Sequence, residues 1–223
     1  LGANVTVPYK EDVLLLLDKC DDLAADIGAV NTIVKRNTEL VGYNTDAGGF
    51  LRALKDEGQF DPRGKRVTML GAGGVARAIS FILVKSGVRS LTFFDIDIKR
   101  AEKLAAELGN IEVTVLSSSK NAHFNEAVFT ADLLINCTPI GMKHSATEEQ
   151  SPIAGELISP KSFVYDVVYN PIRTPLLKNA DKAGARTLGG LSMLVYQGVA
   201  AFELWTGHKA PVDIMLEAAK GAL

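Results

Sequence analysis

The chain has 223 residues, 47% hydrophobic and 22% charged, ordinary values for a folded globular protein and far from those of a disordered one. Its 24 basic and 26 acidic side chains leave a formal net charge of −2, so no basic excess exists to neutralise a run of phosphates, and the composition points away from nucleic acid as a partner. At about 150 residues per domain the length corresponds to roughly one and a half domains.

The pattern along the chain opens with a strand-like run at 1–7, closed by Pro8. Residues 10–20 carry apolar positions at helical spacing (Val13, Leu16, Leu17) and precede a turn of small residues. Residues 28–34 read as a strand, 39–43 as its hairpin partner and 46–54 as a helix closed by Gly58. After a polar break at 62–65 the period changes. Short apolar strands are expected at 66–70, 91–95, 111–116, 132–137, 163–168 and 186–188, and helices at 75–85, 99–108 and 174–183. Strands alternating with helices of about ten residues indicate βαβ units and a parallel sheet, hence an α/β fold. Two further helices are expected at 191–205 and 211–222.

Apolar runs such as 13–17 fall well short of the ~20 residues of a membrane span, so no membrane partner is expected. Cys20 and Cys137 are too far apart to read as a disulfide framework or a metal ligand set and fit a reducing cytoplasm. His123, His144 and His208 share no ligand spacing with them, so no metal is expected. The chain begins Leu-Gly-Ala-Asn, with no Met and no signal peptide, and reads from its first residue like the middle of a structured segment; an N-terminally shortened first domain is the expectation.

The strand at 66–70 runs directly into Gly71-Ala72-Gly73-Gly74-Val75-Ala76, which opens a helix. Glycine permits the tight turn and lets backbone approach a pyrophosphate, and the helix N-terminus supplies unpaired N–H groups and a positive dipole end. Asp95 follows at 24 positions, near the ~20 of a dinucleotide-binding unit. A carboxylate there can accept ribose hydroxyls and repels a 2′-phosphate, and Asp97 adds a second acid; Lys99 and Arg100 offer partial compensation. NAD is therefore favoured over NADP. Ahead of this unit stands a polar cluster: Asn4, Thr6, Lys10, Asn31, Asn44, Thr45 and Asp46. A Lys with a nearby carboxylate reads either as a proton-transfer pair or as two ordinary surface charges.

Seven ordered segments resemble the shikimate dehydrogenase family, including its quinate/shikimate dehydrogenases. They are Gly2–Lys10 (G-x-N-V-T-x-P-x-K), Ala29–Thr32 (A-V-N-T), Gly42–Asp46 (G-x-N-T-D), Gly71–Ala76 (G-A-G-G-x-A), Asn136–Met142 (N-x-T-x-x-G-M), Asp166–Pro175 (D-x-x-Y-x-P-x-x-T-P) and Gly190–Gly198 (G-x-x-M-L-x-x-Q-G). The resemblance implies a Rossmann-type nucleotide domain at 46–189 and a discontinuous α/β substrate domain at 1–45 and 190–223, acting as a monomer or homodimer. It implies an oxidoreductase that interconverts 3-dehydroshikimate and shikimate with NAD or NADP. Lys10 and Asp46 become the catalytic pair. Asn4, Thr6, Asn31, Tyr169 and Gln197 bind substrate. Gly71, Ala72, Gly73, Gly74, Val75, Ala76, Asp95, Ile96, Thr138, Met142, Val167 and Gly190 line the cofactor. Two departures stand out. The S-x-S segment that grips the substrate carboxylate in the family is absent, and the N-R-T-x-x-R sequence of NADP-dependent members is replaced by Asp95-Ile96-Asp97-Ile98-Lys99-Arg100, closer to the NAD-using branch. The rival readings are an NAD-dependent quinate/shikimate dehydrogenase of cyclic-polyol catabolism and a nucleotide-binding module without catalysis.

Overall fold

The computed structural model describes residues 1–6, 8–116 and 122–223. Val7, the last residue of the expected first strand, lies outside them. Two sheets form. The smaller contains β1 (Gly2–Asn4), β2 (Lys19–Cys20), β3 (Thr32–Arg36) and β4 (Glu39–Tyr43) in the order β1-β3-β4-β2. Here β3 pairs antiparallel with β1 and β4, giving the expected hairpin, and β2 adds parallel to β4.

The larger sheet contains β5 (Arg66–Leu70), β6 (Ser90–Phe94), β7 (Glu112–Leu116), β8 (Leu133–Asn136), β9 (Phe163–Asp166) and β10 (Arg186–Gly189). All six strands are parallel, in the order β10-β9-β8-β5-β6-β7, the doubly wound arrangement of dinucleotide-binding sheets. The strand order reverses between β5 and β8, and a crevice opens at their carboxyl ends, where such folds bind ligands. Alternation of side chains assigns each strand's residues to two cores. Val67, Met69, Leu133, Ile135, Phe163 and Tyr165 face the helices α2 (Thr45–Asp56), α3 (Gly74–Lys85), α4 (Ile98–Glu107) and α7 (Leu191–Thr206). Leu70, Leu134 and Val164 face α5 (Ala122–Phe129) and α6 (Pro175–Lys182). The remaining helices are α1 (Asp22–Ile27) and α8 (Val212–Gly221). Among the described residues no helix is long and apolar enough to cross a membrane.

Most expected elements stand within two residues of their places. The strand expected at 28–34 begins only at Thr32, because Gly28 ends a helix, and the strand expected at 1–7 ends at Asn4. Three further regions differ. The helix expected at 10–20 is a turn, a single 3-10 stretch at Asp12–Leu16 and the strand β2. Leu15 and Leu16 are 90% and 76% exposed, and so short a helix without their packing is marginal. The turn expected after Cys20 is α1. Asp21 caps it by accepting the Ala24 N–H at 3.0 Å, and Gly28, at φ 67°, ends it in the left-handed region. Helix α5 has no counterpart in the sequence reading; it is held by Phe124 and Val128, one turn apart and both buried.

Helices α2 and α7 cross closely at Gly49. A β-carbon there would lie 2.8 Å from the Gln197 backbone nitrogen and 3.0 Å from the Met193 carbonyl oxygen, whereas Gly48 faces open space. Gly49→Ala is therefore expected to cost about 1–3 kcal/mol by overpacking. Gly48→Ala, in the same helix, is expected to be neutral or stabilising by up to ~1 kcal/mol. Urea unfolding of the two variants checks the contrast, and equal effects would refute it.

Candidate active site

The polar cluster assembles where the smaller sheet meets the start of α2. Asn44 caps α2, its Oδ1 accepting the Ala47 N–H at 3.2 Å and its Nδ2 donating to the Ala29 carbonyl at 3.0 Å. That cap puts Asp46 in the first turn, where a carboxylate is favoured by the helix dipole. Lys10 Nζ donates to Asp46 Oδ2 at 2.6 Å, with side chains only 20% and 12% exposed. The Lys10 backbone is fixed by its carbonyl, which accepts the Val30 N–H at 2.8 Å. Asn31 Nδ2 donates to Asp46 Oδ1 at 3.0 Å and to Gln197 Oε1 at 3.4 Å, joining α7 to the pair. Asn4 Nδ2 bonds the Asn31 carbonyl at 3.2 Å and Thr32 Oγ1 at 3.1 Å. An ammonium and a carboxylate held this way, each half turned to a cleft, can exchange a proton with a hydroxyl or carbonyl placed beside them.

The cleft is a cavity of 330 Å³. Asn4, Thr6, Lys10, Asn31, Asp46, Tyr169 and Gln197 line it, with Val75, Val167 and Gly190 on the side of the larger sheet. Val75 is in the first turn of α3, directly after the glycines. No side chain caps α3, so its first-turn N–H groups are available to an anion. Gly73 and Gly74 face open space, whereas Gly71, at φ 95°, packs against Cys137 and Thr138. A smaller cavity of 250 Å³ lies against Gly73 and Gly74 and is bordered by Arg77, Arg100 and Lys103 together with Glu11. An uncapped helix start and an open glycine cradle fit a dinucleotide's pyrophosphate.

Three family models match the chain: the shikimate dehydrogenase substrate binding domain at residues 1–33, shikimate / quinate 5-dehydrogenase at 54–151 and the shikimate 5′-dehydrogenase C-terminal domain at 190–220. The chain is 47% identical over 216 residues to shikimate dehydrogenase (NADP(+)) of Moorella thermoacetica, covering 96% of this chain and 72% of that relative. The chain belongs to the shikimate dehydrogenase family. Its fold is also that of the family's crystal structures. Shikimate 5-dehydrogenase from Listeria monocytogenes, solved with shikimate and NAD, superposes with a TM-score of 0.90 at 34% identity, covering 97% of this chain and 76% of that one. Quinate dehydrogenase from Corynebacterium glutamicum, solved with NAD, superposes with a TM-score of 0.89 at 36% identity, covering all of this chain and 78% of that one.

In this member of the shikimate dehydrogenase family several residues stand apart from the larger cavity. Ala76 is fully buried in the core beneath α3, and Ala72 is also buried. Met142 and Thr138 lie on the loop after β8, outside the larger cavity's lining; the Thr138 hydroxyl and N–H both bond Asn136 Oδ1, at 2.7 and 3.0 Å. Ile96 is 95% exposed. Asp95 is only 8% exposed, and its carboxylate braces the turn: Oδ2 accepts the Ala72 N–H at 2.7 Å and Oδ1 the Asp97 N–H at 2.8 Å. The sequence reading passed over Val5, Met193 and Leu194, which also line the cavity. Spacing could have found the last two, because Gly190, Met193, Leu194 and Gln197 fall at i, i+3, i+4 and i+7 on one helix face. Among the described residues no group of three or more His, Cys, Asp or Glu could hold a metal ion.

Removing the Asp95 carboxylate leaves the Ala72 and Asp97 N–H groups without their partner. Asp95→Ala is expected to lower stability by about 1–3 kcal/mol, the cost of an unmet buried donor, read from the urea midpoint. An unchanged midpoint would show that the brace contributes nothing.

Proposed function

We propose that this chain is a dehydrogenase that interconverts 3-dehydroshikimate and shikimate with a nicotinamide cofactor, as part of aromatic amino-acid biosynthesis. The observation that carries the reading is the Lys10–Asp46 pair, 2.6 Å apart, in a cavity whose opposite wall is the start of the glycine-turn helix. The names of the relatives and the bound molecules of the Listeria structure support it. The nicotinamide ring, when bound, supplies or takes up a hydride at the substrate's C3. Lys10 gives a proton to the C3 oxygen in reduction and takes it back in oxidation. Asp46 holds the Lys10 ammonium in place and accepts from a neighbouring hydroxyl of the substrate. Asn4, Thr6, Asn31, Tyr169 and Gln197 hold the remaining substrate oxygens. The glycine turn holds the pyrophosphate, Thr138 and Met142 complete the nicotinamide end, and closure of the cleft excludes water. The residues divide into a substrate domain (1–45 and 190–223) and a nucleotide domain (46–189). The enzyme works in the cytoplasm, where Cys20 and Cys137 stay reduced, as a monomer or homodimer.

For the nucleotide we propose NAD. Ile96 stands where NADP-using members carry an arginine, and the half-exposed Asp97 carboxylate repels a 2′-phosphate. Arg100 is already drawn toward two acids, Asp97 at 3.5 Å and Asp95 at 3.9 Å. The likeness to the Corynebacterium quinate dehydrogenase keeps quinate as a second substrate.

Lys10→Ala is expected to lower turnover roughly 100-fold or more with the circular dichroism spectrum unchanged, the size of a general acid's contribution. Near-normal turnover in the folded variant would defeat the assignment. Rates with shikimate and quinate, each with NAD and NADP, test the rest. Shikimate with NAD is expected to give the highest specificity constant, and Asp97→Ala is expected to shift the ratio toward NADP. A wild-type preference for NADP would overturn the nucleotide assignment. Cofactor binding without turnover of either substrate would favour a nucleotide-binding module.

A further inference from the structure

One buried carboxylate has no part in this chemistry. Asp166 ends β9 with none of its surface exposed. Its Oδ2 accepts the Thr174 hydroxyl at 2.6 Å, and its Oδ1 accepts the Asn136 amide at 2.9 Å and the Val168 N–H at 3.1 Å. Asn136, equally buried at the end of β8, passes the hold on to Thr138. Thr174 is the N-cap of α6. A single carboxylate thus ties together the exit of β8 toward Thr138 and Met142, the exit of β9 toward Val167 and Tyr169, and the start of α6. Gly190 closes the same corner, its N–H donating to the Val168 carbonyl at 3.2 Å.

Burying an ionised carboxylate without a cation is costly, and a neutral side chain would fill the space more cheaply. What an ionised carboxylate adds is two oxygens that both accept, so all three donors are satisfied at once. Burial pushes the Asp166 carboxyl up to about 6, against the downward pull of Thr174, Val168 and Asn136. The titratable groups nearest it are Cys137 at the exit of β8 and Tyr165 within β9. Burial pushes the thiol and the phenol upward, so both stay neutral where Asp166 titrates. The first turn of α6 brings no acid, and Arg173 beside it pairs with Asp181.

We propose that Asp166, acting through Asn136 and Thr174, is a positioning residue whose ionised carboxylate sets the loops after β8 and β9 at the nicotinamide end of the cleft, so that protonating it loosens the grip on the cofactor. The inference rests on the function proposed above. Asp166→Asn reproduces the uncharged form at constant size. NADH and NADPH are titrated into the wild-type chain and the variant by fluorescence at about pH 5 and about pH 8, on either side of the carboxyl's value. Comparison at each pH cancels the nucleotide's own titration. At the higher pH the variant is expected to bind about tenfold more weakly, the worth of one charge-assisted hydrogen bond, and at the lower pH the gap closes. No gap at either pH, or the same gap at both, would overturn the proposal, the second outcome marking a merely structural role.

The free chain supplies a second readout. A carboxyl raised in the folded state stabilises it below the unfolded value of 3.8, and this contribution is lost as pH rises through about 6. The Tm of wild type relative to Asp166→Asn is therefore expected to fall over that window, and a constant difference would contradict an ionised Asp166. Should the Asn variant not fold, Thr174→Val removes the shortest bond and keeps the carboxylate. It is expected to weaken binding at the higher pH while Thr174→Ser does not, and equal affinities in these two would overturn the proposal. Wild type that binds neither nucleotide defeats the proposed function and this inference with it. Wild type that binds and turns over shikimate beside an indistinguishable variant defeats this inference alone.

Discussion

Asn31 is 3% exposed and stands where the chain enters β3, with both ends of its amide in use. Its Oδ1 accepts the Thr45 N–H at 2.7 Å and its Nδ2 reaches Thr45 Oγ1 at 2.9 Å, so the first turn of α2 is bound to the smaller sheet. The same Nδ2 orients Asp46 and touches Gln197. An amide that served only one of these groups would leave a buried donor or acceptor unmet, at about 1–3 kcal/mol each. The Lys10–Asp46 pair therefore inherits its geometry from a neutral side chain. Exposed pairs such as Lys19–Glu39 and Lys85–Asp26 are worth about 0–1 kcal/mol and decide little. Lys10 and Asp46, by contrast, are mostly buried and are held by each other and by Asn31.

The larger sheet contributes direction. With β5 and β8 side by side at the reversal of strand order, the Gly71 N–H reaches the Phe94 carbonyl and the Cys137 N–H the Leu70 carbonyl, both at 2.7 Å. These bonds carry the ladder past the strand ends and aim the glycine turn and the Thr138 loop into one crevice. A side chain at Gly71 would be strained by its φ of 95° and tightly placed, its β-carbon 3.1 Å from the Thr138 methyl. Val75 and Gly190 line the Lys10 cavity on the side of this crevice.

The sequence made the parallel sheet legible because its strands are buried on both faces and read as short apolar runs punctuated by glycine. The site was legible in its residue types and motifs, and the cavity gathers Asn4, Thr6, Lys10, Asn31, Asp46, Tyr169 and Gln197. What escaped depends on contacts that spacing does not encode. Residues 10–20 carry a helical pattern, yet nothing packs on Leu15 and Leu16. Helix α5 is stabilised by the far face of the sheet, through Phe124 and Val128, more than by any local signal. Asp95 has the residue type of a ribose ligand, and its bracing of the Ala72 and Asp97 N–H groups depends on a turn that only the folded chain brings near. The pairing of Asp166 with Thr174, eight residues on, likewise depends on how β9 ends.

The two sheets are not independent bodies joined by a tether, because α3 belongs to both. Its N-terminus is the glycine turn, and its flank packs on the smaller sheet's helix through Ile27, Ala29, Ala47 and Ala78, with Phe81 and Ile82 alongside. Arg77 crosses this seam, donating to the Ile27 carbonyl and pairing with Glu107 of α4. Lys85 adds a bond to Asp26 at 2.8 Å, but that pair is exposed on both sides and weak. Full burial of one large apolar side chain is worth about 1.5–3 kcal/mol, so the apolar seam outweighs the surface pair. A seam of that kind fixes the distance between the glycine turn and the Lys10 loop on one side of the cleft. On the other side Tyr169, Ile172 and Met142 stand exposed on the loops that Asn136, Asp166 and Thr174 hold.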